Sequence, residues 1–116
     1  MENKVWKYCR QASPDGSLAG LQAQSHQIDN YITEHAYSLV GKTNVVESGI
    51  ALDRESLREL IQLAKEGQYD ILAVSNIDRL ARNIEVRIAF CQKMIDLGIR
   101  IVEVNTDTKI TENNFS

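Results

Sequence analysis

The side chains most able to act on a substrate in this sequence are arginines that lie near hydroxyl or carboxyl groups. Seven of the thirteen basic residues are arginines. Four of them fall at or after the ends of predicted strands, in segments that also contain hydroxyl or carboxyl residues: Arg10, Arg54, Arg79 and Arg82. A guanidinium group pairs with two phosphate oxygens at once and keeps its charge at any working pH. Four arginines gathered in one place would therefore bind an anion such as a phosphate.

Each of these arginines, taken alone, also fits an ordinary surface position. An exposed ion pair such as Asp78 with Arg79 contributes less than about 1 kcal/mol to stability. A phosphate site needs several arginines together. The interpretation therefore depends on the elements that position them.

Four strands alternate with three helices in the predicted secondary structure. The helices show apolar residues at helical spacing, and the strands are short, β-prone runs. Asp53 is expected to be the N-cap of the second helix, and the tail from Asn105 is expected to be weakly structured. The predicted strands are 4–10, 37–43, 71–74 and 100–104, and the predicted helices are 21–34, 53–66 and 83–97.

This order of elements predicts an α/β fold with three layers, a mostly parallel β-sheet flanked by helices. In such sheets functional groups collect at the carboxyl ends of the strands. The candidate residues lie at or after the ends of the first three strands in turn: Arg10 and Ser13, then Ser48 and Arg54, then Asp78, Arg79 and Arg82. The fold would therefore bring the arginines to one edge.

The composition bounds the class of protein. With 116 residues, 43% of them hydrophobic and 25% charged, the chain suits one globular domain, and no apolar run is long enough for a membrane span. Two cysteines cannot form a disulfide framework, so we expect a reduced, cytoplasmic protein. The net charge of −3 is unlike that of a whole nucleic-acid-binding protein. His26 and His35 lack partners at metal-ligand spacing, so we expect no metal and no cofactor.

Several elements, in unbroken order over about residues 4 to 110, resemble the catalytic domain of the serine recombinases, the resolvase/invertase family. The most specific is Asp-Arg-Leu-x-Arg, because it directly follows a predicted buried strand. The elements are Tyr8-Cys9-Arg10, Gln24, Ser48-Gly49, Asp53-Arg54 and Asp78-Arg79-Leu80-Ala81-Arg82.

The resemblance implies a site-specific recombinase that cuts and rejoins duplex DNA through a phosphoserine intermediate, without a metal. It implies that the four arginines surround the scissile phosphate, that Asp78 orients an arginine, and that Gln24 and Ser48 bind the substrate region by hydrogen bonds. It also implies a homo-oligomer, from dimer to tetramer. Family members continue into a long dimerisation helix and a DNA-binding domain. We therefore expect residues 1–116 to be the catalytic domain of a longer protein.

The nucleophile position departs from the family pattern, Tyr-x-Arg-x-Ser. Here Ala12 stands at the serine position and Ser13 comes one residue later. On a continuing strand, Ala12 would share the face of Arg10 and Ser13 would point away. Three explanations stay open: a natural inactive member, a deliberate serine-to-alanine change, or a nucleophile shifted to Ser13.

Three further features bear on the comparison with the family: one substitution, one loop length and one apolar helix. Asn44 replaces an acidic residue that is common in the family, and the loop between Arg10 and Gln24 is long, which resembles the large serine recombinases. The helix over 83–97 is apolar almost all round, so one face of it is expected to meet a partner subunit.

Two further classes of function compete with the recombinase. One is a catalytically inactive DNA-binding or regulatory relative, which would associate with DNA without a covalent adduct. The other is a receiver or nucleotide-binding module with the same β/α order. A receiver needs clustered carboxylates where Arg10 stands, and a dinucleotide fold needs a glycine-rich first turn that residues 11–16 do not provide.

Overall fold

A five-stranded sheet with helices on both faces forms the centre of the computed structural model, which describes residues 3–11, 19–46, 50–77, 80 and 83–110. The strand order is β2-β1-β3-β4-β5, with the first four strands parallel and β5 antiparallel to β4. The elements are β1 (Lys4–Gln11), α1 (Ala19–Glu34), β2 (Ser38–Val46), α2 (Ile50–Lys65), β3 (Ile71–Val74), α3 (Ile84–Asp96), β4 (Arg100–Glu103) and β5 (Thr108–Ile110).

The three predicted layers are confirmed by the two halves of the core. Side chains alternate along β3, and all four of its residues are buried. Ile71 and Ala73 pack with residues of α1, whereas Leu72 and Val74 pack with residues of α2 and α3. A strand buried on both faces explains the continuous apolar run Ile71–Val74.

The boundaries of β2 and α2 differ from the prediction. β2 continues to Val46, because Asn44, Val45 and Val46 pair with the last three residues of β1. α2 begins at Ile50, so Asp53 lies inside the helix and is not its N-cap. Three apolar residues, Ile50, Ala51 and Leu52, occupy this additional first turn.

The polar tail forms a strand that the sequence did not predict. Thr108–Ile110 pairs with Ile101–Glu103, and the side chain of Ile110 is buried in the core. Asp107 takes a positive φ of 51°, a conformation that aspartate tolerates and that reverses the chain here. A three-residue strand with one buried apolar side chain gives no detectable periodicity, which is why it was missed.

The boundaries of α3 agree closely with the prediction. Asn83 caps the helix, and its Oδ1 accepts a hydrogen bond from the Val86 N–H at 3.0 Å. Gly98 follows the helix with a φ of 81°.

The outer surface of α3 is partly exposed. Ile84 is 49% exposed, and an open groove of about 480 Å³ runs between α2 and α3. Contact with a partner subunit on this helix stays a prediction. Among the described residues, every helix is too short or too polar to cross a lipid bilayer.

A bulge in β2 brings Gly41 against the indole ring of Trp6. The register moves from Val5–Leu39 to Trp6–Gly41, so Val40 is an additional residue in β2. Trp6 Nε1 donates to Thr43 Oγ1 at 2.9 Å, which holds the ring over the glycine. A Cβ at position 41 would overlap ring carbons of Trp6.

We therefore expect Gly41→Ala to lower the free energy of unfolding by about 1–3 kcal/mol, the usual cost of overpacking. Urea unfolding measures it. The loss should be smaller when Trp6→Leu is also present, because leucine leaves room for the methyl group. An equal loss in both backgrounds would contradict the proposed overlap.

Candidate active site

Arg10 lies near the carboxyl end of β1 with only 3% of its surface exposed. By the alternation of β1 it shares a face with Trp6 and Tyr8, which belong to the core packed under α2 and α3. A buried guanidinium is costly unless the protein provides partners for it. Its burial therefore distinguishes Arg10 from a solvated surface arginine.

Gln24 of α1 binds the main chain of Arg10 at two points. Its Oε1 accepts from the Arg10 N–H at 3.0 Å, and its Nε2 donates to the Arg10 carbonyl at 2.9 Å. The pairing of β1 with β3 ends at Lys7 with Ala73, so the carboxamide takes the place of a neighbouring strand. Gln24 is 4% exposed and positions Arg10. Direct contact of Gln24 with a substrate stays a prediction.

Lys7 fixes α1 on the same strand and was missed by the sequence analysis. Its Nζ lies 2.7 Å from Asp29 Oδ1 and 2.7 Å from Ser25 Oγ. Its side chain is 6% exposed. Two signals pointed to this contact: Lys7 lies on the same face of β1 as the apolar Val5 and Cys9, and Ser25 and Asp29 are four residues apart on one helix face.

Of the remaining predicted site residues, only Arg54 lies in a described element. Arg54 is the fifth residue of α2, and α2 covers the same face of the sheet as Arg10. In a parallel β/α sheet, the helices begin at the edge where the strands end. The beginnings of α2 and α3 therefore lie towards the edge where β1 ends. Ala12, Ser13, Ser48, Asp78, Arg79 and Arg82 lie outside the described residues.

Two described residues flank Asp78 and Arg79 along the chain. Ile77 follows the carboxyl end of β3 and accepts, through its carbonyl, a hydrogen bond from the Leu80 N–H at 3.0 Å. Leu80 is fully buried in the core under α2 and α3. Ile77 and Leu80, the residues on either side of Asp78 and Arg79 in the sequence, are thus both held in the domain.

The cysteines and histidines lie apart from this edge or inside the core. Burial raises the pKa of the Cys9 thiol to about 11 and that of the Cys91 thiol to about 12. His35 stacks on Tyr31 with ring centroids 3.9 Å apart, and its Nε2 lies 3.9 Å from Asp107 Oδ1. Within the described ranges, no three His, Cys, Asp or Glu side chains come together as a metal site.

Comparison with known proteins identifies structural relatives. The family model described as the resolvase N-terminal domain matches residues 5–115. No protein with a curated description matches the sequence. Many solved structures do match.

Three of these structures each match 87–93% of this chain. The N-terminal catalytic domain of TP901-1 integrase is 17% identical, with a TM-score of 0.79 over 91% of this chain and 81% of that one. A resolvase family site-specific recombinase from Streptococcus pneumoniae is 22% identical, with a TM-score of 0.75 over 93% and 76%. The C-terminal catalytic domain of ISC1926 TnpA, an IS607-like serine recombinase, is 25% identical, with a TM-score of 0.76 over 87% and 67%.

Removing the carboxamide of Gln24 should destabilise the protein. We expect Gln24→Leu, which keeps the volume, to lower the free energy of unfolding by about 2–4 kcal/mol, because two buried main-chain groups lose their partners. Amide exchange at Arg10 should become faster. Gln27→Leu, on the exposed side of α1, is the matched control and should change stability by less than about 0.5 kcal/mol. Equal stability of the two variants would show that the hydrogen bonds to Arg10 contribute nothing.

The raised thiol pKa values predict slow alkylation of the native protein. At pH 8 a thiol of pKa about 11 has roughly 100-fold less thiolate than one of pKa 9, so iodoacetamide should modify Cys9 at least that much more slowly than an exposed thiol. Asn30→Cys, on the exposed face of α1, provides that reference, and mass spectrometry measures the rates. Both native cysteines should react in urea. Equal rates at Cys9 and at the introduced thiol in the folded protein would contradict the burial of Cys9.

Proposed function

Since this chain belongs to the serine recombinase family through its resolvase N-terminal domain, we propose that it is the catalytic domain of a site-specific recombinase acting on duplex DNA. The observation that carries the proposal is Arg10, buried at the carboxyl end of β1 and held there by both polar atoms of Gln24. An arginine whose main chain is fixed at the edge of a parallel sheet is suited to a phosphate.

The reaction in this proposal is a phosphoryl transfer to a serine. The serine hydroxyl loses its proton and forms a P–O bond with a backbone phosphate, while the bond from phosphorus to one deoxyribose oxygen breaks and that oxygen takes up a proton. Rejoining reverses these steps after strand exchange. Negative charge grows on the phosphate oxygens in the transition state, so fixed positive charge accelerates the step.

Four arginines would provide this charge: Arg10, Arg54, Arg79 and Arg82. Asp78 would orient one of these guanidinium groups, and Ser48 would hold the substrate by a hydrogen bond. Arg10 and Arg54 belong to elements that meet at one face of the sheet, and Ile77 and Leu80 flank the segment that carries Asp78 and Arg79. This common location supports a shared phosphate site.

Ser13 is the nucleophile in this proposal, because Ala12 has no hydroxyl. β1 continues through Gln11, so position 12 directly follows the strand and position 13 comes next. The replacement at position 12 favours a second candidate function, a catalytically inactive relative that binds DNA or regulates an active partner. We further propose that the whole protein acts as a homo-oligomer.

Covalent attachment to DNA distinguishes these functions. The full-length protein is incubated with duplex DNA selected for binding, then denatured, and protein linked to a cut DNA end is measured. Four versions are compared: the chain as found, Ala12→Ser, Ser13→Ala, and the double change. We expect adducts with the chain as found and none with Ser13→Ala.

The other outcomes each have a defined meaning. Adducts only where residue 12 is serine would make Ala12 an inactivating change and Ser13 a residue without a catalytic role. DNA binding without an adduct in any version would favour the inactive relative. In a version that forms adducts, Arg79→Gln should lower the rate by about 100-fold, the usual effect of removing one donor to the developing charge.

A further inference from the structure

The turn that follows β4 binds the chain that leaves β3, residue by residue. We call Glu103–Thr106 the support turn. Its main chain continues the sheet: the Val104 N–H donates to the Val74 carbonyl at 2.8 Å, and the Asn105 N–H donates to the Ser75 carbonyl at 3.2 Å. Two successive residues at the end of β3 and just beyond it are thereby held.

Side chains of the support turn extend this hold by two more residues. Asn105 Nδ2 donates to Asn76 Oδ1 at 3.0 Å. The Ile77 N–H donates to Glu103 Oε2 at 2.7 Å, and the other carboxylate oxygen accepts from Thr106 Oγ1 at 2.9 Å. Residues 74 to 77 are therefore each bound by the support turn.

Glu103 provides the last and shortest of these contacts. Hydrogen bonds to an ionised carboxylate are about twice as strong as those between neutral groups, and Glu103 is only partly exposed to water. The bond from Thr106 fixes the rotamer of Glu103. The carboxylate is thus aimed at Ile77 by its own turn.

Ile77 is the residue directly before Asp78. Beyond it, the Leu80 N–H binds the Ile77 carbonyl, and the Leu80 side chain is fully buried. Asp78 and Arg79 therefore lie between one point held by Glu103 and another held by the core. A shift of about 1 Å at a reacting group is enough to slow catalysis by about 100-fold.

We propose that Glu103 is a positioning residue for phosphoryl transfer, and that it acts by fixing Ile77, the residue directly before Asp78 and Arg79. The inference rests on the proposed function, in which Arg79 contacts the scissile phosphate. Glu103 touches neither the substrate nor the nucleophile. It acts through the main chain of Ile77.

The first measurement tests the hold of Glu103 on Ile77 and requires no DNA. Amide exchange at Ile77 is measured by NMR in the chain as found, in Glu103→Ala, and in Glu103→Gln, whose carbonyl oxygen still accepts from Ile77. Glu59→Ala, an exposed carboxylate on α2, is the matched control. We expect exchange at least about tenfold faster in Glu103→Ala, near-normal exchange in Glu103→Gln, and no change in the control or in β3.

The second measurement tests the reaction, in whichever version of residues 12 and 13 forms the DNA adduct. In full-length protein, well below its melting temperature, we expect Glu103→Ala to slow adduct formation by about 100-fold while the Kd for DNA changes less than about threefold. Glu103→Gln should restore the rate to within about fivefold. A merely structural role would instead change the melting temperature and leave the rate per folded molecule unaltered.

Two results would overturn the inference: unchanged exchange at Ile77 in Glu103→Ala, or faster exchange with a normal rate of adduct formation. If no version forms an adduct, the proposed function fails, and the place of Glu103 in the reaction fails with it. Faster exchange at Ile77 would even then establish that Glu103 holds Ile77, so the two failures are distinguishable.

Discussion

The hydrogen bonds between Gln24 and the main chain of Arg10 are the interaction on which the candidate site depends. β1 continues beyond its pairing with β3, which leaves main-chain groups without a strand on one side. Unpaired buried amides are costly, and the carboxamide of Gln24 satisfies both groups of Arg10 at once. The same two bonds fix the backbone from which the arginine side chain projects. The contact between Gln24 and Arg10 thus contributes both to the stability of the fold and to the geometry of the site.

That contact requires α1 to lie at a fixed position along β1. Lys7 provides this restraint through Asp29 and Ser25, on the opposite face of the strand from Arg10. Ile28 and Leu21 pack beside it against Val5 and Cys9. Hydrophobic packing alone tolerates small sliding of a helix on a sheet, whereas a buried ammonium group with two partners does not. The polar contacts therefore set the register that the apolar core leaves adjustable.

The carboxyl end of β3, next to β1 in the sheet, is also supported by hydrogen bonds from a neighbouring element. β3 is short, and the chain beyond it is held by the support turn after β4. A three-residue antiparallel strand, β5, returns the turn to the core through Ile110. Short parallel strands leave little main chain to fix their own ends. Side chains from neighbouring elements therefore bind main-chain groups that have no partner strand. Gln24 binds those of Arg10 in β1, and Glu103 binds the N–H of Ile77 beyond β3.

The sequence by itself determined the alternation of strands and helices, the three layers, the burial of β3 and the start of α3 at Asn83, because each depends on local spacing of apolar residues or on one capping side chain. The order of the motif residues also indicated the family. Only the tertiary structure decided that Gln24 binds the backbone of Arg10, that Lys7 is buried, that α2 begins at Ile50, and that Thr108–Ile110 is a strand. These features join residues that lie far apart along the chain or depend on a few weak local signals. For Gln24 and Lys7 the physical cause is the need to satisfy buried polar groups, and for Thr108–Ile110 it is the burial of Ile110. Both arise only when the elements have packed together.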